Sequence, residues 1–515
     1  MTRSNSTHWM GLAAAAIGAV IVLAGCTQPQ AVDPTDPPSP SPGRTTRPQV
    51  DDVWAQEIFW ERCTLAKDTE CATVVAPLDW DDPTGPGIEL ALARVKATGG
   101  TARLGSLLVN PGGPGASGLS FLPNAISLIG PDVRAAYDVV SFDPRGVGES
   151  TPVTCYQTTA ELDRFFAASW PKTLDGYADS VSVVEPFAQA CADNTGPLLG
   201  QVDTASAAKD LDLLRHLLGD ERLNLLGYSY GSFLGTTYAE LFPDRVGRLV
   251  LDGAIDPSLP SDTQEVEQAR GFEAALNAYL SDCIGKQACP FRGSKQAALD
   301  QIHQLLAQIE AKPMEAGSPD GRKLTLPLAI NGIVVTMYDD STWLLASQAL
   351  EGAISYDDGT GLLRLSDMYM DRLGGSYGSN QMEAFIAINC LDGRPPADPA
   401  AAEAHAAALA EASPTMGEFW AYSEQLCAVW PYPQKGAPHG ASAPGADPIL
   451  IIGTTGDPAT PYQGAVALAQ QLESAVLITY QGEGHTAYGR SNQCVNQAVE
   501  RYLLEGTVPA EGLTC

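Results

Sequence analysis

The stretch Leu223–Asp252, LNLLGYSYGSFLGTTYAELFPDRVGRLVLD, constrains the fold more than any other part of the chain. Leu223 to Leu226 is a short apolar run; Phe233, Leu234, Tyr238 and Leu241 then recur at helical spacing until Pro243, and VGRLVLDG reads as a second buried strand. Upstream, Leu211, Leu214, Leu217 and Leu218 share one helical face, with Gly219 in the place of a C-terminal cap. Helix, strand, serine, helix, strand is the order of a mostly parallel sheet with helices on both faces. Ser229 falls on the strand-to-helix turn. A serine held there at positive φ stands at the strand tip, and side chains two residues to either side would clash with neighbouring backbone. Gly227 and Gly231 remove those side chains. A second G-x-S-x-G, around Ser376, follows the helical pattern GLLRLSDMYMDRLG and precedes SNQ, so Ser376 reads as a loop residue.

A serine hydroxyl is a weak nucleophile at neutral pH and needs a general base held by an acid. Of six histidines, His8 lies at the extreme N-terminus, His216 and His303 sit in helical patterns, His405 lies in the Ala/Glu-rich AAEAHAAALAEA, and His439 lies in GAPHGASAPG. His485 follows the β-rich AVLITYQGEG and is the expected base. Two acids end apolar strands. Asp457 follows ILIIGTTG, giving the order Ser, Asp, His; Asp252 ends RLVLD, and is read as a packing or turn residue. Asp457 is therefore the expected acid. The oxyanion needs backbone N–H donors. Tyr230 follows the nucleophile directly, and Gly113 belongs to Gly112-Gly113-Pro114-Gly115, a bare loop after the strand Leu107 to Val109.

The N-terminus speaks to compartment. Arg3 precedes the apolar run Gly11 to Cys26, too short to span a bilayer and of signal-peptide length. It ends in Leu23-Ala24-Gly25-Cys26, a lipobox-like sequence, so residues 1–25 are expected to be a lipoprotein signal peptide and Cys26 to carry lipid. Residues 26–50, rich in Pro, Ser and Thr, are an expected extended tether. Setting Cys26 aside from 11 cysteines leaves an even ten, which in an exported chain points to disulfides. Spacing favours neighbour pairs: Cys63–Cys71, Cys155–Cys191, Cys283–Cys289, Cys390–Cys427 and Cys494–Cys515. No metal-ligand spacing is present, so neither metal nor cofactor is expected. With 61 acidic against 30 basic residues, a net charge of −31 repels nucleic-acid phosphates, and no nucleic-acid partner is expected.

Gly112-Gly113-Pro114-Gly115, FDPRGVGES at Phe142 to Ser150, GYSYG, GDPATP and GEGHT together resemble the actinobacterial α/β-hydrolase serine peptidases: the tripeptidyl aminopeptidases, related mycobacterial lipoprotein serine hydrolases and, more distantly, proline iminopeptidases. The resemblance runs from about Trp60 to Cys515. It implies an α/β-hydrolase fold with an inserted helical cap, and a triad that maps onto Ser229, Asp457 and His485. It also implies an exopeptidase that takes short peptides, tripeptides in the family's manner, from free N-termini of peptides or proteins. Pro111 stands where proline iminopeptidase carries His before its GGPG, so that enzyme's proline preference does not transfer. The expected organisation is a hydrolase core over 51–255 and 446–515, with a cap and connecting region over 256–445. A substrate ammonium needs a carboxylate, because a buried unpaired charge costs several kcal/mol; the family's cap-to-core junction matches AFIAINCLDGRPP, making Asp392 the amine candidate. A monomer, exported to the cell envelope and held at the membrane through Cys26 or released extracellularly, is expected. A carboxylesterase or lipase could use the same triad, and dependence on a free α-amine separates the two.

Overall fold

The computed structural model describes residues 52–99, 103–169, 177–393, 398–422 and 425–515. The expected signal peptide, Cys26, the tether and His8 lie outside them. Among the described residues twelve strands occur: β1 (Glu61–Arg62), β2 (Thr69–Pro77), β3 (Gly87–Val95), β4 (Gly105–Asn110), β5 (Tyr137–Phe142), β6 (Leu223–Tyr228), β7 (Val246–Asp252), β8 (Arg372–Leu373), β9 (Ser376–Tyr377), β10 (Ile449–Gly456), β11 (Ala475–Glu483) and β12 (Leu513–Thr514). Ten of them form one sheet in the order β1-β2-β3-β5-β4-β6-β7-β10-β11-β12. From β5 to β12 every pairing is parallel; β1, β2 and β3 make an antiparallel edge.

Alternation along the central strands divides the core between two faces, as the two-residue period of a strand requires. Leu108, Leu225, Leu249, Leu251, Ile449 and Ile451 point to one face, where the helices Thr204–Leu217, Tyr230–Leu241 and Tyr462–Gln471 contribute Leu211, Leu234 and Leu468. Leu107, Val109, Leu226, Val250, Leu450 and Ile452 point to the other, covered by the helices Gly118–Leu128 and Gln493–Glu505. The central strands are buried on both sides, which is why they read as continuous apolar runs.

Between β7 and β10 the chain is mostly helical. Ser261–Cys283, Lys295–Ala311, Leu326–Val334, Trp343–Tyr356 and Thr360–Tyr369 enclose a separate apolar core that includes Tyr279, Ile302, Leu306, Ile333, Leu350 and Leu362. The helix Gln381–Asp392 departs from this grouping: Ala384, Ala387, Ile388 and Leu391 join the core beneath the sheet. Helical periodicity gives such a segment an apolar face without saying which neighbour receives it. Ser376 also differs from the sequence reading. It belongs to the two-residue strand β9, paired with β8 across Gly374 and Gly375 at φ 63° and 91°, and it is exposed. Each of the ten described cysteines is bonded to its neighbour in sequence: Cys63–Cys71, Cys155–Cys191, Cys283–Cys289, Cys390–Cys427 and Cys494–Cys515.

The FDPRGVGES segment is a structural brace. All five guanidinium N–H donors of Arg145 are used: Nε and Nη2 meet Asp210 at 2.7 and 2.6 Å, Nη2 also donates to Pro77 O, and Nη1 donates to Leu78 O and Gln201 O. Both side chains are fully buried. Asp143 accepts from Ser117 Oγ, Leu119 N–H and Glu149 N–H, fixing the start of the helix Gly118–Leu128. Removing one partner of a buried pair strands the other charge, so Arg145→Ala is expected to lower unfolding free energy by about 3–5 kcal/mol. The midpoint of chemical denaturation checks this, and an unchanged midpoint would refute it.

Candidate active site

β6 ends at Tyr228, the helix begins at Tyr230, and Ser229 lies between them at φ 56° and ψ −123°. A non-glycine residue in this region carries about 1–3 kcal/mol of strain, sustained only where surrounding structure over-determines it. Here Ser229 N–H donates to Asp252 O at 2.8 Å, and Ser229 O accepts from Ser232 N–H at 2.7 Å and Ser232 Oγ at 2.6 Å. A Cβ on Gly227 would run into Gly231 O, and one on Gly231 would stand 2.9 Å from Asn110 Oδ1. Both glycines are required by close backbone approach.

The loop after β4 packs on this elbow. Gly112 has φ 94°, and a Cβ there would lie 2.8 Å from Ser229 Cβ and 3.1 Å from Tyr230 N. Its own N–H is taken by Asn110 Oδ1 at 3.0 Å. Gly113 N–H, next in the chain, meets no acceptor among the described residues. Tyr230 N–H is the first of a helix and has no intrahelical acceptor. These two N–H groups, the expected oxyanion donors, therefore stand uncommitted beside the serine. The helix Gln381–Asp392 backs the loop: a Cβ on Gly115 would come within 2.7 Å of Phe385 N.

His485 and Asp457 meet at the ends of the adjacent strands β10 and β11. His485 Nδ1 lies 2.8 and 2.9 Å from the two carboxylate oxygens of Asp457. That carboxylate, buried at 4% exposure, also accepts from Ala459 N–H, Thr460 N–H, Thr460 Oγ1 and Thr486 N–H. Every lone pair is thus directed, and the imidazole is aimed with Nε2 away from the acid. From the helical segment between β7 and β10, Tyr338 O accepts His485 N–H at 2.7 Å and the Tyr338 ring sits edge-on to the imidazole, centroids 5.3 Å apart. Arg490 Nε caps His485 O and Thr486 O. The Cα of Gly253 faces the same imidazole: a Cβ there would be 3.2 Å from His485 Cε1. Ser229 and His485 therefore share the C-terminal end of β7.

The other candidates make no contact with the imidazole. Asp252 does not touch the imidazole; its carboxylate accepts from Ala487 N–H and Tyr488 N–H. Asp392 accepts from Thr204 N–H and Thr204 Oγ1, and Thr204 Oγ1 in turn bonds Tyr230 Oη. No cation pairs with Asp392 among the described residues, and burial pushes its carboxyl up to about 7. His216 packs on Trp54 and His439 pairs with Glu240 at the surface. Sequence reasoning missed Thr460, Tyr338 and Arg490. Only Thr460 left a trace, as a hydroxyl three residues after Asp457, the spacing of an Asx-type turn.

No group of three or more His, Cys, Asp or Glu side chains able to hold a metal occurs among the described residues. A serine elbow, a bare backbone-donor loop and an acid–histidine pair, all at the C-terminal ends of a parallel sheet, define an α/β-hydrolase of the serine-hydrolase class. Comparison with known proteins narrows this. Residues 413–515 match the family described as TAP-like protein. The chain is 34% identical to Serine protease Hip1 of Mycobacterium tuberculosis, over 98% of this chain and 97% of that one. It is 38% identical to Carboxylesterase B of the same species, over 95% of each. It is 31% identical to Tripeptidyl aminopeptidase of Streptomyces lividans, over 89% and 86%. The chain belongs to this family of α/β-hydrolase serine peptidases, and it is an enzyme.

Proposed function

We propose that this protein is a serine exopeptidase that releases short peptides, tripeptides in the leading reading, from free N-termini. The observation that carries the chemistry is the Asp457–His485 pair set beside the strained Ser229 elbow; the specificity is supported by the relative named tripeptidyl aminopeptidase. Ser229 Oγ attacks the scissile carbonyl while His485 Nε2 takes its proton, and the N–H groups of Gly113 and Tyr230 receive the developing oxyanion. Collapse breaks the C–N bond as His485 returns the proton to the leaving amine. Water, deprotonated by the same imidazole, then hydrolyses the acyl-enzyme.

Asp392 is the proposed acceptor of the substrate ammonium, supported by the absence of a cationic partner for it among the described residues. Its carboxyl, raised to about 7, is charged above that pH, while an α-ammonium keeps its proton to about 7.7–8. KM for a free tripeptide amide is therefore expected to fall as pH rises through about 7. The mature chain should cleave a chromogenic tripeptide amide with a free N-terminus and leave the acetylated form untouched. Equal cleavage of both, or of simple esters alone, would establish instead the ester-hydrolase reading that the relative named Carboxylesterase B favours.

We further propose export to the cell envelope and attachment through lipidated Cys26, with the chain acting as a monomer. Five disulfides suit an oxidising compartment. Among the described residues no helix is long and apolar enough to cross a membrane.

A further inference from the structure

We infer that Asp252 is the positioning residue that holds Ser229 and His485 in register, its main-chain carbonyl fixing the nucleophile and its ionised carboxylate fixing the turn after the base. The inference rests on the assignment of Ser229 and His485 made above.

Asp252 is the last residue of β7, between the strand that ends in the elbow and the strand that ends in Asp457. Its carbonyl accepts Ser229 N–H at 2.8 Å. Its side chain, fully buried, crosses to the histidine turn, where Oδ1 and Oδ2 each lie 3.0 Å from Ala487 N and Oδ2 lies 2.7 Å from Tyr488 N. One residue thus bonds the amide of Ser229 and the two amides that leave the histidine turn. The following Gly253 donates to Ile452 O at 3.1 Å and passes under the imidazole, closing the connection to β10.

Burying a carboxylate is costly, and an apolar side chain would fill a strand end between Leu251 and Gly253 with less penalty. What the carboxylate adds is acceptance of two successive N–H groups, and that fixes the direction in which the chain leaves His485. Thr486, between the base and these amides, has φ 64°, a left-handed conformation that a threonine holds only under such restraint. Releasing the turn would leave the Asp457–His485 contact able to form but the imidazole free to shift against Ser229. A displacement of about 1 Å in a reacting group can lower rate by about 10²-fold.

Three titratable groups face Asp252: Tyr228 from β6, Asp457 from the turn after β10, and His485. Burial, partly offset by the Ala487 and Tyr488 N–H groups and by His485 and reinforced by Asp457, pushes its carboxyl up to about 6. It is ionised at neutral pH. As pH falls through about 6 it gains a proton, one oxygen turns from acceptor to donor, and the hold on the turn weakens.

The test compares parent, Asp252→Asn and Ser229→Ala, each as the mature chain, on a free tripeptide amide. Expected for Asp252→Asn is a fall in kcat of about 10- to 100-fold, KM within about threefold, equally slowed labelling by a fluorophosphonate, and an acidic limb of kcat shallower by one proton than the parent's. A kcat within twofold of the parent overturns the inference. So does a reduced kcat on an unchanged acidic limb, which leaves Asp252 a merely structural part. Should Asp252→Asn fail to fold, hydrogen exchange on the parent decides: the Ala487 and Tyr488 amides must lose protection between pH 7.5 and pH 5 ahead of β10, and constant protection refutes the role. Turnover by Ser229→Ala would instead break the nucleophile assignment, which separates the two failures.

Discussion

Ser229→Ala is expected to remain folded and to lose about 10⁶-fold in kcat, the loss seen when a triad hydrolase is deprived of its nucleophile. The geometry says why the two effects separate. Ser229 is held by main-chain bonds: its N–H to Asp252 O, its carbonyl to the N–H and Oγ of Ser232. Its side chain forms no hydrogen bond among the described residues, so alanine keeps every bond that maintains the elbow. The φ of 56° is no more strained for alanine than for serine. What disappears is the atom that forms the acyl-enzyme. Residual turnover would come from the N–H groups of Gly113 and Tyr230 and from substrate binding. The decisive measurement is single-turnover hydrolysis together with intact mass after a fluorophosphonate. The parent should gain one adduct on Ser229 and the variant none. An adduct on another serine, or activity within tenfold of the parent, would place the nucleophile elsewhere.

The parts of this site that could be read in the sequence are those dictated by neighbours along the chain. Gly227 betrays the elbow because a Cβ there would meet Gly231 O, four residues away, whereas the clash that Gly231 avoids is with Asn110 at the end of β4. Gly112 to Gly115 were legible as a bare loop from the run of glycines itself, while the elements they pack against, the elbow at Ser229 and the helix Gln381–Asp392, are brought there by folding. His485 could be reached by elimination, since the other histidines lie in the expected signal peptide or in helical or Pro/Gly-rich surroundings. The two acids were harder. Asp252 and Asp457 both end apolar strands, and only the spatial order β7-β10-β11 shows that Asp457 reaches the imidazole while Asp252 reaches the amides beyond it. Partners brought together only by folding left no trace in the sequence. Tyr338 lies far from His485 along the chain yet bonds its amide, and Glu383 accepts from Cys155 and Tyr156 N–H across the fold. The helix Gln381–Asp392 falls in the cap and connecting region at its junction with the core, and its apolar face packs into the core on one face of the sheet.

Asp457→Asn should lower kcat by about 10⁴-fold with little change in KM. The carboxylate of Asp457 serves two structures at once. It accepts Ala459 N–H, Thr460 N–H and Thr460 Oγ1 within its own turn, and Thr486 N–H and His485 Nδ1 across it. Asparagine keeps the volume, and its Oδ1 can still receive the Ala459 and Thr460 amides, so the turn survives. The amide –NH₂ then faces His485, where only acceptors belong. Nδ1 must become the bare nitrogen to receive it, which moves the imidazole proton to Nε2, and a protonated Nε2 cannot take the proton of Ser229. The defect is one of tautomer rather than position, so substrate binding stays close to normal while the chemical step fails. Thr460 Oγ1, 3.3 Å from His485 Nδ1, offers the bare nitrogen a second donor and deepens the trap. Steady-state kinetics on the free tripeptide amide and proton NMR of the imidazole N–H would test both halves. A kcat within tenfold of the parent would show that the imidazole takes its orientation from elsewhere, with Asp252, Tyr338 O and Arg490 as the remaining holds on the turn. The expected ranking, Ser229→Ala below Asp457→Asn below Asp252→Asn, follows from how directly each side chain meets the proton in transfer.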